Sequence, residues 1–121
     1  MKLQNIKFKA KRLDGKGWAI GDLLHSYENG TIIVPIEGGG AFSVDPSTVC
    51  QFTGMKDCDG TDIFEGDLLA EKRFPMYEVG YVDSEFAASY IGENTFIFKL
   101  PALSKDCVVC GSIYDRKEGE K

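Results

Sequence analysis

The sequence is poor in histidine and proline, and it contains no long apolar segment. Its 121 residues include one histidine and four prolines. Any Ser-His-Asp triad or histidine-based metal site would have to use that single histidine, His25. No stretch approaches the roughly 18 consecutive apolar residues that a membrane-spanning helix requires. We therefore expect no membrane role.

An apolar leader is also lacking. Residues 1–7 (MKLQNIK) contain two lysines and run into alternating charge. They do not contain the apolar run of about 7–15 residues that is typical of a secretory signal peptide. We therefore expect a cytoplasmic protein. Disulfides are rare in a reducing compartment, so the four cysteines are expected to be free thiols.

Basic residues are outnumbered by acidic ones. Fourteen Lys and Arg against nineteen Asp and Glu give a formal net charge of −5. A broad DNA- or RNA-binding surface needs clustered Lys and Arg to displace counterions, so this balance disfavours nucleic acid as a partner. A hydrophobic content of 43% with 12% aromatic residues excludes a disordered chain. The length suits one compact domain.

Apolar residues recur mainly at every second position, which is typical of strands with one buried face. In residues 6–11 (IKFKAK), one face would be apolar and the other would present Lys7, Lys9 and Lys11. Turn pairs such as Asp14-Gly15 separate the candidate strands. The pattern predicts a mainly β fold with hairpins and at most one or two short helices. It also predicts a single domain over residues 1–115 and a charged, flexible tail over residues 116–121.

Three stretches taken together resemble the YopX family. They are residues 6–24 (with IKFKAKRLD and WAIGDLL), residues 44–67 (with VDPSTVCQFTGMKD, DG and IFEGD) and residues 111–115 (GSIYD). The resemblance implies a small, partly open β-barrel of SH3-like or YopX-like form. It also implies a protein encoded by a bacteriophage or prophage and acting in the cytoplasm of a bacterial host. It implies no activity, because the function of the family is unknown.

Carboxylates are densest between residues 57 and 67. A calcium loop starting at Asp57 would need glycine at position 62 and a bidentate glutamate at position 68, where this sequence has Asp62 and Leu68. We favour a tight turn at Asp59-Gly60, with the Asp57 side chain bonded to the backbone of the turn. A metal or catalytic site is the alternative.

Glu65-Gly66-Asp67 allows a second alternative. Residues two apart on a strand share a face, so both carboxylates could converge for acid–base chemistry or for Mg²⁺. We favour a bend at Gly66, with Asp67 accepting backbone N–H groups. A metal-dependent hydrolase using Glu65, Asp67 and Asp57 is the less favoured hypothesis. We therefore expect no catalytic residues, no metal and no cofactor.

The pair Cys107 and Cys110 forms a C-x-x-C motif. Residues three apart on an extended strand point to opposite faces, so the two thiols would share a metal only if a knuckle broke the strand. We favour free thiols, and a redox or metal role of the pair is left open. The stripe of Lys7, Lys9 and Lys11 could contact phosphates or an acidic partner. The interpretation we favour is that these lysines protect an edge strand from pairing with other chains.

The sequence predicts a non-enzymatic module that binds a protein partner or forms homo-oligomers. It contains more aromatic residues than a small core absorbs, and we expect some of them at the surface. The aromatic residues concerned are Tyr77, Tyr81, Phe86, Tyr90, Phe96 and Phe98. The alternative is a nucleic-acid-binding accessory protein, supported by the lysine stripe. The candidate functional surface consists of Glu65, Asp67, Asp57, Lys7, Lys9 and Lys11.

Overall fold

The computed structural model describes residues 5–28, 30–36, 38–71, 74–93, 95–96 and 98–115. Strands dominate this part of the chain, and they form two antiparallel sheets with one short α-helix, α1 (Leu100–Ser104). The prediction of a mainly β fold is confirmed. Across the described ranges neither sheet closes into a barrel. The predicted tail, residues 116–121, lies outside the described residues.

The chain divides into two compact units, residues 1–52 and residues 53–121, and each has its own buried cluster. The prediction of a single domain over residues 1–115 stays a prediction. No helix in the described ranges has the length and apolar composition needed to span a membrane.

The first unit is a sheet of antiparallel strands joined by short turns. Its strands are β1 (Phe8–Lys11), β2 (Trp18–Ser26), β3 (Gly30–Val34), β4 (Phe42–Ser43) and the start of β5 (Cys50–Lys56). Their order across the sheet is β4-β3-β2-β1-β5. The predicted turn at Asp14-Gly15 is present, with Gly15 at φ 77° and the Arg12 N–H bonded to the Gly17 carbonyl at 2.8 Å.

One face of this sheet forms the core of the first unit. The register places Ala10 opposite Ala19 and Leu23 opposite Ile33, so these four side chains share a face. Ala10, Ala19 and Ile33 are buried with Val44 in one cluster. A 3₁₀ turn at Pro46–Thr48 precedes β5, and the Asp45 carboxylate caps it by accepting the Ser47 N–H at 2.9 Å.

The second unit contains the end of β5 and a five-stranded sheet. Beside β5 lies β6 (Asp62–Phe64), and the other strands are β7 (Asp67–Glu71), β8 (Phe74–Val82), β9 (Glu85–Tyr90), β10 (Phe98–Lys99) and β11 (Val108–Ser112). The five-stranded order is β10-β9-β8-β7-β11, and all four pairings are antiparallel.

Aromatic side chains take up much of the core of the second unit. Tyr77 is buried, its ring stacks on Tyr90 at 5.6 Å, and Phe98 meets both rings edge-on at 5.3 and 5.1 Å. Phe86 packs against the same core. Of the six aromatic residues expected to exceed the core, Tyr81 and Tyr90 are the ones with exposed side chains.

Candidate functional site

The Asp57 carboxylate closes a turn and joins it to a distant strand. One oxygen, Oδ1, accepts the N–H groups of Asp59 and Thr61 at 2.8 and 2.9 Å. The other, Oδ2, accepts the Val109 N–H at 2.8 Å. Gly60 has φ 85°, as the predicted turn requires. Both carboxylate oxygens are therefore engaged by the backbone.

This hydrogen bonding affects the acidity of Asp57. The side chain is 7% exposed, and burial by itself raises its pKa. The backbone N–H groups of Val109, Thr61 and Asp59 favour the ionised form and outweigh burial, so the pKa of Asp57 lies below its ordinary value. Asp57 is thus an anion held in a structural role, and it lacks the raised pKa of a general acid at neutral pH.

Asp67 lies inside the second unit. It is 0% exposed, and its Oδ2 accepts the Phe64 N–H at 2.7 Å. The predicted bend is present at Gly66, whose φ is 84°. The Gly66 N–H donates to the Val79 carbonyl at 2.7 Å, and the Gly66 carbonyl accepts from Ile113 at 2.9 Å. The bend is thus hydrogen-bonded to Val79 in β8 and to Ile113, the residue that follows β11.

Asp67 and Glu65 are expected to differ sharply in their contribution to stability. Changing Asp67→Ala leaves the Phe64 N–H without its buried acceptor, and we expect a loss of about 2–3 kcal/mol in the free energy of unfolding. Glu65 is only half-buried, so Glu65→Ala is expected to change stability by less than about 0.5 kcal/mol. Urea unfolding of both variants checks this. Equal losses would contradict the structural role assigned to Asp67.

The metal or catalytic site considered as the alternative would need carboxylate oxygens that are not already engaged by the backbone. Asp57 and Asp67 each bond to backbone N–H groups. Among the described residues, no group of three His, Cys, Asp or Glu side chains is placed to hold a metal ion. The hydrogen bonds of Asp57 and Asp67 organise backbone turns.

The two C-x-x-C cysteines differ in exposure, and Cys107 lies just before β11 whereas Cys110 lies within it. Cys107 is fully buried in the core of the second unit, whereas Cys110 is exposed and its thiol donates to the Leu68 carbonyl at 3.4 Å. A β-bulge between Val109 and Gly111 places Cys110 outside the regular pairing. Burial raises the pKa of the Cys107 thiol, and partial desolvation together with the Asp67 carboxylate raises the pKa of the Cys110 thiol. Both are therefore protonated at neutral pH, which makes them weak nucleophiles.

A cleft of about 530 Å³ opens in the second unit near Cys110. Leu68, Ile91 and Ile113 contribute apolar walls, and Glu78 and Asp115 contribute carboxylates. Glu78 Oε1 accepts the Gly92 N–H at 3.1 Å. No sequence pattern indicates this cleft, because its lining comes from separate strands and from the segment after β9.

A mainly apolar exposed surface lies on the first unit, on the side of the sheet opposite its core, and the exposed Asp22 carboxylate lies among its side chains. We call it the hairpin face and define it by Trp18, Ile20, Leu24, Ile32 and Val34. The register explains why these side chains lie together. Asp22 lies opposite Val34, and Leu24 lies opposite Ile32. Ile20, Leu24 and Val34 are 48%, 53% and 36% exposed.

The predicted lysine stripe borders this surface. Lys9 lies opposite Ile20 and Lys11 opposite Trp18, so both lysines are on the hairpin-face side of β1. Their ammonium nitrogens lie 4.7 and 5.2 Å from the centre of the Trp18 ring. The Lys7 ammonium lies 4.6 Å from the Phe52 ring. The stripe thus presents cations stacked on aromatic rings.

The interpretation of these lysines as edge protection is wrong. β1 is an interior strand, because it pairs with β2 on one side and with β5 on the other. An interior strand has no free backbone groups to offer another chain, so it needs no protection. The charge is instead placed beside an apolar surface.

Comparison with known proteins identifies the family. A search of the curated proteins finds no match. The family model described as YopX protein matches residues 7–118. This range includes both sheets and all the candidate site residues named above. The chain belongs to the YopX family.

Proposed function

We propose that this protein is a non-enzymatic protein-binding module, encoded by a phage or prophage, that acts in the bacterial cytoplasm. The observation that supports it best is the hairpin face. Single exposed aliphatic side chains are normal at a protein surface, but contiguous ones are typical of interaction sites. Ile20, Leu24 and Val34 lie on adjoining strands, and each is at least one-third exposed. The phage origin and the cytoplasmic location are part of this proposal, as the resemblance of the sequence to the YopX family implies.

The candidate carboxylates support a non-enzymatic role. A general acid, a general base or a metal ligand needs an oxygen that can reach substrate or ion. Asp57 uses both oxygens on the backbone, and Asp67 is fully buried. Protonated thiols at Cys107 and Cys110 supply no ready nucleophile.

Photo-crosslinking tests whether the hairpin face binds protein. Leu24 is replaced by p-benzoylphenylalanine, and the protein is expressed in bacterial cells that contain the native gene. A matched control places the same group at Ile113, which is 41% exposed in the second unit. We expect a crosslinked protein adduct from position 24 and none from position 113.

A substitution within the hairpin face provides the second part of the crosslinking experiment. Ile20→Thr keeps a β-branched side chain at an exposed strand position, so the unfolding temperature should change little. The position-24 adduct is expected to fall at least about five-fold, since one buried methylene contributes roughly 0.8 kcal/mol and Ile20→Thr removes more than that. No adduct at position 24, or equal adducts at both positions, would overturn the proposal.

Nucleic-acid binding is the second candidate function, and the lysines stacked on Trp18 are the observation that favours it. Bases stack on open aromatic faces and phosphates pair with lysine. The Trp18 ring, however, is approached by two ammonium groups, and the net charge of −5 opposes a polyanion. Fluorescence anisotropy with labelled single-stranded DNA at low salt tests it, and no change at micromolar protein would remove it.

A further inference from the structure

The hairpin face has a basic end. Lys9 lies opposite Ile20 and Lys11 opposite Trp18, so two ammonium groups adjoin the apolar side chains there. A carboxylate that approaches this end is attracted by both lysines, whereas a cationic side chain is repelled. The cation–π contacts with Trp18 also hold the ammonium groups close to the sheet.

The opposite end of the hairpin face is apolar. Leu24 lies opposite Ile32 there, and Leu24 is the most exposed aliphatic side chain of the face at 53%. Ile20 and Leu24 are four residues apart on β2, which corresponds to about 13 Å in a strand that rises roughly 3.3 Å per residue. Lys9 lies opposite Ile20, so a ligand that pairs with Lys9 and covers Leu24 places its carboxylate and its aliphatic group about this far apart.

The size of the hairpin face favours a peptide segment over a second folded chain. A stable interface between two folded proteins buries about 800 Å² on each partner and uses about 20–30 residues a side. The hairpin face is defined by five side chains, and Trp18 and Ile32 are already half-buried. A short segment can cover this surface, whereas two folded chains that met only here would bury less area than a stable interface needs.

We infer that the hairpin face binds an extended segment of a partner protein with an acidic residue at one position and a large aliphatic residue four positions away. The inference rests on the proposed function, because it names the partner chemistry of the same surface. In an extended segment, positions i, i+2 and i+4 point to one side, so both side chains reach the sheet. The position between them lies over Asp22 and Val34, and the exposed Asp22 carboxylate disfavours a second acidic residue there.

Three synthetic peptides serve as probes in a titration followed by ¹H–¹⁵N NMR of the full chain. The first, Thr-Glu-Thr-Val-Thr-Leu-Thr, has the inferred spacing. The second replaces its glutamate by lysine, and the third exchanges glutamate and valine so that the spacing falls to two. We expect the first to shift the amides of β1, β2 and β3 and to bind at least about five-fold more tightly than the other two, the effect of one favourable ion pair of about 1 kcal/mol.

Variants of the protein test the role of the lysines. Changing Lys9→Gln and Lys11→Gln together is expected to abolish the preference for the glutamate peptide, whereas Lys105→Gln, an exposed change in the second unit, leaves it intact. The same NMR spectra show whether each variant is folded. The preference should also shrink at about 0.5 M salt, because salt screens exposed charges.

The outcomes separate this inference from the proposed function. Equal binding of the glutamate and lysine peptides, an unchanged preference in the Lys9/Lys11 variant, or no shift with any peptide overturns the inference. The crosslink from position 24 would still support a protein partner in each of these cases. If neither position 24 nor position 113 gives a crosslinked adduct, the proposed function is overturned, and the inference is overturned with it.

Discussion

Gly21→Ala is expected to lower the free energy of unfolding of the first unit by about 3 kcal/mol. A Cβ atom at position 21 would overlap the Val34 carbonyl oxygen and would lie 2.7 Å from the Pro35 Cα. Both neighbours are backbone atoms, so no side chain can rotate to make room. The strand that follows β2 would have to move away, and overpacking of this kind typically costs about 1–3 kcal/mol or more. The single tryptophan, Trp18, lies in the same strand and reports the unfolding by fluorescence in urea.

The control for Gly21 is Gly111→Ala. Gly111 also lies in a strand, and a Cβ there would meet no atom within 4 Å. Alanine restricts the unfolded chain more than glycine does, so this change is expected to be neutral or to stabilise by up to about 1 kcal/mol. A Gly21→Ala variant as stable as the original protein would show that the close approach of Val34 to β2 is not maintained in solution.

Asp57→Ala is expected to destabilise the second unit by about 2–4 kcal/mol. The substitution removes the acceptor of the N–H groups of Asp59, Thr61 and Val109. A buried donor left without an acceptor costs about 1–3 kcal/mol, and water can replace the acceptor only at the exposed part of the turn. Circular dichroism during urea unfolding measures the change. Asp59→Ala is the control, because Asp59 is exposed, and it is expected to remain within about 0.5 kcal/mol of the original protein.

The acid dependence of stability provides an independent check on Asp57. Its pKa is lowered in the folded protein, so its contribution to stability is complete above the ordinary aspartate pKa of about 4 and is lost as the pH falls through the folded value. The stability difference between the original protein and Asp57→Asn should therefore be constant from about pH 7 to pH 5 and shrink below about pH 4. A difference that stays constant down to about pH 2.5 would contradict the backbone hydrogen bonds described for this carboxylate.

The turn at residues 57–61 shows how far local reasoning reaches. Two of the hydrogen bonds of Asp57 go to Asp59 and Thr61, which are two and four residues away, so the identities of neighbouring residues suffice to predict them. The third goes to Val109, 52 residues away. It depends on where the chain brings β11, and nothing in the sequence around Asp57 indicates it.

Asp67 illustrates the same division. The bend at Gly66 follows from the Gly-Asp pair, because glycine tolerates the positive φ of 84° found there. The complete burial of the Asp67 carboxylate does not follow from that pair. It results from the packing of β7 between β8, the next strand in the chain, and β11, a distant strand whose Ser112 pairs with Asp67.

The sequence contains a sign of the hairpin face, namely apolar residues on both faces of two candidate strands. An amphipathic strand has apolar residues at alternate positions. In residues 18–24 and 31–34, apolar residues stand at both odd and even positions, and therefore on both faces of the strands. Ile20 and Leu24 thus belong to one face, and Ala19 and Leu23 to the other. Two apolar faces indicate either a buried strand or a surface that another molecule covers, and only the exposed fractions distinguish the two.

The sequence by itself determined the β class, the turns and the sharing of a face by Lys9 and Lys11. Each of these depends on neighbours within a few residues and on the alternation of side chains along a strand. Tertiary structure alone decided that β1 is an interior strand, that Asp57 reaches Val109 and that an apolar surface lies beside the lysines. Strand order is the physical reason, because hydrogen-bond pairing between strands distant in the chain sets which strands are edges and which faces meet solvent.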